Sequence, residues 1–114
     1  MTERDVLLTQ LPQADGRIKN RPVIVLRLMP PFNDLLVCGV STQLHQVVTG
    51  FDEIIRDNDP DFVLSGLKSS SLIRLGFLTV LPLRSFLGKI GSISPERHAR
   101  LLVRLSDFIR PHLG

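Results

Sequence analysis

The sequence feature that most constrains the fold is a run of β-branched and aliphatic residues, Pro22–Leu28 (PVIVLRL). Side chains of this type favour strands because they pack well on a pleated surface. Proline has no backbone N–H to give to a neighbouring strand, so Pro22 is expected at the first residue of the strand or on a sheet edge. Turn residues at positions 29–33 (MPPFN) lead into a second apolar run, Asp34–Ser41, which predicts a neighbouring antiparallel strand.

Four further segments, separated by turn residues, predict additional strands. They are Asp5–Thr9, Asp52–Arg56 on an exposed edge, a mostly buried Leu72–Leu81, and Gly88–Ile93. Between the first two strands, the segment Gln10–Asn20 is rich in polar and turn residues, which predicts a loop of about eleven residues. Loops of that length are uncommon in compact domains and are often functional.

The last segment of the chain has the pattern of an amphipathic helix. Ser94 is a suitable N-cap, Pro95 suits the first helical position, and Pro111 ends the helix. Apolar side chains recur at the spacing of one helix face, at Leu101, Leu102, Leu105, Phe108 and Ile109. The opposite, polar side is assigned to Arg97, Arg100, Arg104 and Asp107. Short strands followed by one C-terminal helix predict a mainly β (α+β) fold, a small and strongly bent antiparallel sheet or barrel.

Length and composition limit the possible organisation of the chain. With 114 residues the chain fits one domain, 1–114, and leaves no room for a second core. The hydrophobic content of 43% and the mean hydropathy of +0.18 are high for so small a body. Part of the apolar surface is therefore expected in a subunit interface, which predicts a homodimer, with a tightly filled monomer core as the alternative.

Several protein classes are disfavoured by the sequence. The one cysteine, Cys38, lies in an apolar run, where a buried structural thiol is expected and no internal disulfide is possible. The charged start of the chain does not resemble a signal peptide. No apolar run approaches the roughly 18 residues of a membrane span. A cytoplasmic protein without a membrane partner is the expectation.

The charge is unevenly distributed along the chain. Residues 52–61 carry five acidic side chains and one basic, for which a solvated sheet edge is a more frequent explanation than a catalytic carboxylate pair. Residues 62–114 carry eight basic and two acidic side chains. A basic second half suits a polyanionic or acidic partner, although ordinary solvated charge remains the alternative.

Metal and cofactor motifs are missing from the sequence. The three histidines are far apart, without the spacing of metal ligands, and no glycine-rich phosphate loop precedes a Lys-Ser/Thr pair. No cofactor is expected. The chain has no Trp or Tyr, and none of its six phenylalanines is flanked by basic residues in a pattern that predicts a base-stacking platform.

Two polar segments could contact a phosphodiester. Arg17, Lys19 and Arg21 place three cations within five residues of the predicted loop, and Pro22 restricts the backbone beside Arg21. A guanidinium there could grip a phosphorane through two hydrogen bonds, although a solvated loop is the more frequent explanation for such a composition. The end of the third predicted strand, Gly39–Gln43, offers two hydroxyls and an amide.

These segments, in their order along the chain, resemble the PemK/MazF toxin family. A strand followed by a glycine-containing polar loop and Arg21–Leu26 is similar to the opening of those proteins, and Cys38–Gln43 to their hydroxyl-hydroxyl-Gln segment. Gly66–Lys68 with Ser71–Leu75 resembles their later strand, and Ile90–Glu96 the approach to their C-terminal helix. The resemblance spans residues 5 to about 109.

The resemblance implies an SH3-like barrel with appended helices that works as a homodimer. It implies metal-independent cleavage of single-stranded RNA, in which the ribose 2′-hydroxyl attacks the adjacent phosphate. Arg21 and Ser41 would then be catalytic, with Ser41 at the position of a threonine in most members. RNA-binding roles would fall to Arg17, Lys19, Thr42, Gln43 and Arg74. The implied protein partner is a cognate antitoxin whose acidic, partly disordered tail covers the active-site groove.

The sequence departs from the family pattern at two places. Some plasmid-borne relatives pair an arginine with an aspartate two residues later, whereas here Arg74 is followed by Gly76. Many members begin with a Gly-Asp pair, whereas here Arg4 precedes Asp5. The chain therefore either works with Arg21 and Ser41 as its core or is a catalytically weak binding module of the same fold. His45 is a speculative helper, with a structural or solvent-facing histidine as the alternative.

Overall fold

A computed structural model describes residues 1–12 and 15–112 of the chain. Its strands are β1 (Asp5–Pro12), β2 (Ile18–Met29), β3 (Asp34–Ser41), β4 (Glu53–Ile55), β5 (Ser71–Leu81) and β6 (Phe86–Ser92). Its α-helices are α1 (Phe62–Ser65) and α2 (Pro95–Ile109), and short 3₁₀ turns occupy Leu44–Gln46 and Leu83–Ser85. All strand pairs are antiparallel, in the order β4-β5-β3-β2-β1-β6. The predicted mainly β fold with a C-terminal helix is confirmed.

The predicted long loop between the first two strands is wrong in its extent. The β1–β2 ladder continues through Gln10–Asn20 and Leu11–Lys19 to Pro12–Ile18, so both ends of that segment are strand. Residues 13 and 14 of the predicted loop lie outside the described part of the chain. Gln10, Lys19 and Asn20 are exposed. Polar residues can form this extension because a solvated hairpin end needs backbone hydrogen bonds but no apolar face.

The sheet is bent so that it packs a core on each face. On one face, Cys38 and Val40 of β3 pack with Leu101 and Leu105 of α2. On the other face, Leu35 and Val37 of β3 pack with apolar residues of β1, β2 and β6. We call this second side of the sheet the distal face. The β2–β3 register shifts after Val25, where β2 has one extra residue, and the β3–β5 register shifts after Cys38, where β5 has the extra residues 75–77. Such irregularities locally bend the strands.

The thiol of Cys38 is inaccessible to solvent, as the sequence predicted. Burial raises its pKa to about 12, so it stays protonated at neutral pH. This group has the environment of a packing residue and not of a nucleophile. Among the described residues, no helix is long and apolar enough to cross a membrane.

Helix α2 begins as the sequence predicts, but its two sides are only partly as expected. The Ser94 hydroxyl caps the helix by accepting a hydrogen bond from the Arg97 N–H at 3.1 Å. Leu101 and Leu105 are buried, whereas Phe108 and Ile109, predicted on the same apolar face, are exposed. Leu105 is the last helix residue in the buried core, and the ring of Phe108 lies against that of Phe51, with the two centroids 4.8 Å apart.

The prediction that Arg97 lies on the solvated side of α2 is wrong, and the solvated edge predicted for residues 52–61 is only partly confirmed, since Asp57 is exposed but Asp52, Glu53 and Asp61 are buried. Arg97 precedes Leu101 by four residues and therefore lies on the buried face of the helix. There its guanidinium meets Glu53 of β4 and Asp61 before α1, both also buried. Glu53 of the edge strand thus pairs with Arg97 and Arg100 of the helix instead of water.

Candidate functional site

The candidate site is built on β3, between β2 and β5. Gly39 pairs with Val23 of β2 on one side and with Arg74 of β5 on the other. Directly opposite residues of antiparallel strands project from the same face of a sheet. Val23 belongs to the core of the distal face, so Arg74 lies on that face as well. The Arg74 side chain is exposed.

Arg21 and Ser41 lie at the same end of this face. The β2–β3 pairing runs from Met29–Asp34 to Val23–Gly39. Beyond that last pair, Arg21 lies two residues before Val23 on β2, and Ser41 lies two residues after Gly39 on β3. A step of two residues along a strand returns to the same face. Beyond the pair, β2 continues beside β1 with Arg21 opposite Thr9, and β3 continues beside β5. The two half-buried side chains therefore flank the point where β2–β3 pairing ends.

The hydroxyl of Ser41 has a defined local role. Its oxygen accepts a hydrogen bond from the backbone N–H of Gln43 at 3.0 Å, forming a tight turn at the strand end. A hydroxyl that accepts through its oxygen still has its proton to donate. Thr42 and Gln43 are exposed on the turn itself, and His45 is exposed in the 3₁₀ turn that follows. Ser41 can thus donate to an anionic oxygen on the sheet face.

The other predicted cations lie toward the tip of the β1–β2 hairpin. Lys19 is exposed on β2, two residues before Arg21 and therefore on the same side of that strand. Arg17 is exposed just before β2, where its Nε lies 3.6 Å from an Asp15 carboxylate oxygen. An exposed pair of this kind holds the side chain only loosely. Together with Arg21, these two cations form a basic strip along the hairpin.

Gly76 has room for a side chain. An ideal Cβ placed at this position would have no heavy atom within 4 Å. The missing acidic partner of Arg74 is therefore a chemical difference from the family pattern and not a consequence of crowding.

Phe77 lies beside the candidate site, which the sequence did not reveal. Its Cδ1 and Cγ atoms lie 2.9 and 3.2 Å from the place that a Cβ of residue 39 would occupy, so Gly39 makes room for the ring. The sequence singled out no phenylalanine near the site, because the contact of Phe77 with Gly39 forms only when β5 pairs with β3. A glycine inside a buried strand was the available signal, since it often marks a close approach.

The connection that follows Ser41 is fixed by a buried carboxylate. Asp52 accepts hydrogen bonds from the backbone N–H groups of Val48 at 2.9 Å and of Leu75 at 3.0 Å. It thereby ties the segment after the 3₁₀ turn to β5, directly after Arg74. Asp52 was grouped by its sequence with a solvated charge run, but it is buried and organises the backbone beside the site.

No family model matches the chain, and no curated protein does. The fold is similar to that of the Mycobacterium tuberculosis toxin MazF-mt6, with a TM-score of 0.66 over 91% of this chain and 94% of that one. The chain has the fold of a MazF toxin. Its sequence is 18% identical to MazF-mt6, so the MazF likeness establishes the architecture and leaves the chemistry to be argued from the residues.

Proposed function

We propose that this chain is the toxin component of a type II toxin–antitoxin system and a metal-independent endoribonuclease that cuts single-stranded RNA, including mRNA. The observation that carries the proposal is the position of Arg21 and Ser41 at one end of the distal face, beside the last β2–β3 pair. The MazF fold supports it independently, since the similar solved protein is named as a toxin.

In the proposed reaction the ribose 2′-oxygen attacks the adjacent phosphorus and the P–O5′ bond breaks. The products are a 2′,3′-cyclic phosphate and a free 5′-hydroxyl, and the proton lost by the 2′-hydroxyl is balanced by one gained at the leaving oxygen. Arg21 assists proton transfer and stabilises the negative charge that develops on the phosphorane oxygens. Ser41 donates a hydrogen bond to one of them, while Arg17, Lys19, Thr42, Gln43 and Arg74 hold the strand.

The proposed assembly is a cytoplasmic homodimer of one-domain subunits, inhibited by an antitoxin with an acidic tail. The basic strip of Arg17, Lys19 and Arg21 and the exposed Arg74 give the distal face the charge that either an RNA backbone or an acidic tail requires. Competition for this surface would make inhibition and RNA binding mutually exclusive.

A second candidate is a catalytically weak or inactive binding module of the same fold, a nucleic-acid-associated regulator or an antitoxin-binding protein. Gly76 favours it, because Arg74 lacks the acidic companion two residues later. The two candidates differ in whether covalent bonds of RNA are broken.

The deciding experiment is incubation of the purified chain with single-stranded RNA in excess EDTA, followed by analysis of the new ends. The nuclease proposal expects cleavage that EDTA does not inhibit, with cyclic phosphate and 5′-hydroxyl termini. RNA that is bound and left intact would favour the binding module. Cleavage only with added magnesium would contradict the proposed mechanism.

A further inference from the structure

A cleft of about 520 Å³ opens on the distal face next to the proposed catalytic residues. It is lined by residues of β1, β5, the 3₁₀ turn before β6 and β6 itself, among them Thr9, Phe77, Thr79, Arg84 and Leu87. Phe77 is 39% exposed, and Leu87 is exposed as well. The cleft thus has a partly exposed aromatic wall and one charged side chain among its lining residues.

The cleft adjoins the proposed site on two sides. Thr9 lies opposite Arg21 in the β1–β2 ladder. Phe77 lies against Gly39, which precedes Ser41 by two residues on the same strand. A phosphate held between Arg21 and Ser41 would therefore have the cleft beside it, within one or two strand spacings of about 4.8 Å.

The walls of the cleft are held by contacts that do not involve a ligand. The Thr9 hydroxyl donates a hydrogen bond to the Ser85 carbonyl at 2.9 Å and so joins β1 to the turn before β6. The contact of Phe77 with Gly39 packs the ring onto β3. Because neither wall depends on an occupant, the cleft is preformed.

We propose that this cleft holds one nucleobase of the bound single strand, stacked on Phe77, with Arg84 near the flanking phosphate. The inference rests on the proposed function and identifies a contact that holds the RNA strand in place at that site. A base is neutral, flat and aromatic, which suits a cleft with an aromatic ring and a single cation, whereas an acidic peptide would be better matched by several cations. Bases stack on aromatic side chains irrespective of sequence, and a neighbouring arginine adds to the binding.

The absence of tryptophan and tyrosine from the chain allows a direct test of stacking. Phe77→Trp introduces the only tryptophan, whose fluorescence is quenched when a base stacks on it. The probe is a 2′-O-methyl oligonucleotide, which binds without being cut because its blocked 2′-oxygen cannot attack. A backbone-matched oligonucleotide with abasic residues supplies the same phosphates without bases. The matched control is Phe32→Trp, since Phe32 is 81% exposed in the β2–β3 turn, at the opposite end of both strands.

Quenching of Phe77→Trp by the oligonucleotide, little quenching by the abasic backbone and none in Phe32→Trp would support the inference. Phe77→Leu, which keeps an apolar side chain without a ring, should weaken binding by about 10- to 100-fold, the range seen for base-stacking aromatics. Its salt dependence should equal that of the wild type, because no phosphate contact is lost. Arg84→Ala should instead make binding less dependent on salt.

Equal quenching by the two oligonucleotides, or unaltered binding by Phe77→Leu, would overturn the inference. So would quenching by an acidic peptide alone, which would indicate a protein ligand, or a change of oligomeric mass in Phe77→Leu, which would place the ring between subunits. If the wild type cuts RNA in any of these cases, the proposed function survives and only the base cleft is rejected. A wild type that binds no RNA would reject both.

Discussion

Arg97 grips Asp61 with two parallel hydrogen bonds, from Nε to Oδ2 at 2.9 Å and from Nη2 to Oδ1 at 3.1 Å. Nη1 of the same guanidinium donates to Glu53 at 2.9 Å, and Nη2 also donates to Asp59 at 3.0 Å. One buried cation therefore holds acidic groups from the edge strand and from the segment before α1. Through these bonds Arg97 connects α2 to the strongly acidic stretch of residues 52–61.

Removal of the Arg97 charge should be strongly destabilising. Arg97→Met keeps much of the side-chain length but leaves Asp61 buried without its cation and Glu53 with the more exposed Arg100 and Arg104, for which a loss of about 3–5 kcal/mol is expected. Arg110→Met is the matched control at the C-terminal end of the same helix, because Arg110 and its partner Asp107 are both exposed and such pairs contribute little. Urea unfolding followed by circular dichroism measures both. Similar midpoints for the two variants would contradict a structural role for the buried cluster.

The ion pair between Arg97 and Asp61 predicts that the protein loses stability in acid. Burial by itself raises the pKa of Asp61, but the hydrogen bonds from Arg97 and the Ser94 N–H and the charge of Arg97 outweigh it, so the net pKa is lowered. A carboxyl with a lowered folded-state pKa stabilises the protein above its unfolded value of about 3.9 and loses that contribution as the pH falls through the folded value. Asp61→Asn should therefore be less stable than the wild type at pH 6, with the difference shrinking below about pH 4. A difference independent of pH would exclude this linkage.

A Cβ at residue 39 should disturb Phe77. In Gly39→Ala the new methyl group would lie 2.9 Å from the ring Cδ1, so the ring must move, and overpacking of this kind costs about 1–3 kcal/mol. In a Phe77→Ala background the ring is absent and the cost should fall, since the Phe77 Cβ at 3.4 Å is at ordinary contact distance. A double-mutant cycle in urea measures the coupling. Additive effects would show that Gly39 does not serve to accommodate the ring.

The sequence predicted those features of the fold that depend on local chemistry. β3 has the predicted bounds because turn residues flank its apolar run, and α2 begins at Pro95 because Ser94 and Pro95 are specific start signals. The hairpin extension at residues 18–20 was missed because its ladder is held by backbone hydrogen bonds, which polar residues make as well as apolar ones. Long-range contacts were also missed. Arg97 was misplaced because only the folded chain brings acidic groups to that helix face, and Phe77 because its neighbour Gly39 lies on another strand.

A carboxylate at position 76 should be tolerated and should test the incomplete family pattern. An added Cβ there meets no atom within 4 Å, so Gly76→Asp is expected to fold normally. If Arg74 lacks only an acidic companion, Gly76→Asp should raise the rate of RNA cleavage, whereas Gly76→Asn, of nearly the same shape without charge, should not. Rates on a fluorogenic RNA substrate compare the two. Equal rates for wild type, Asp and Asn would show that the Arg–Asp pair has no role in this chain.

Joint action of Arg21 and Ser41 on one phosphate is best tested by single-turnover cleavage of RNA in EDTA. Arg21→Ala and Ser41→Ala should each slow cleavage about a hundredfold or more, the double variant should be far less than additive, and Ser41→Thr should retain activity. Arg27→Ala is the control, since Arg27 is an exposed arginine on the same strand, paired with Glu3 at 2.7 Å. A wild-type rate in Arg21→Ala, or equal losses in Arg21→Ala and Arg27→Ala, would contradict the account.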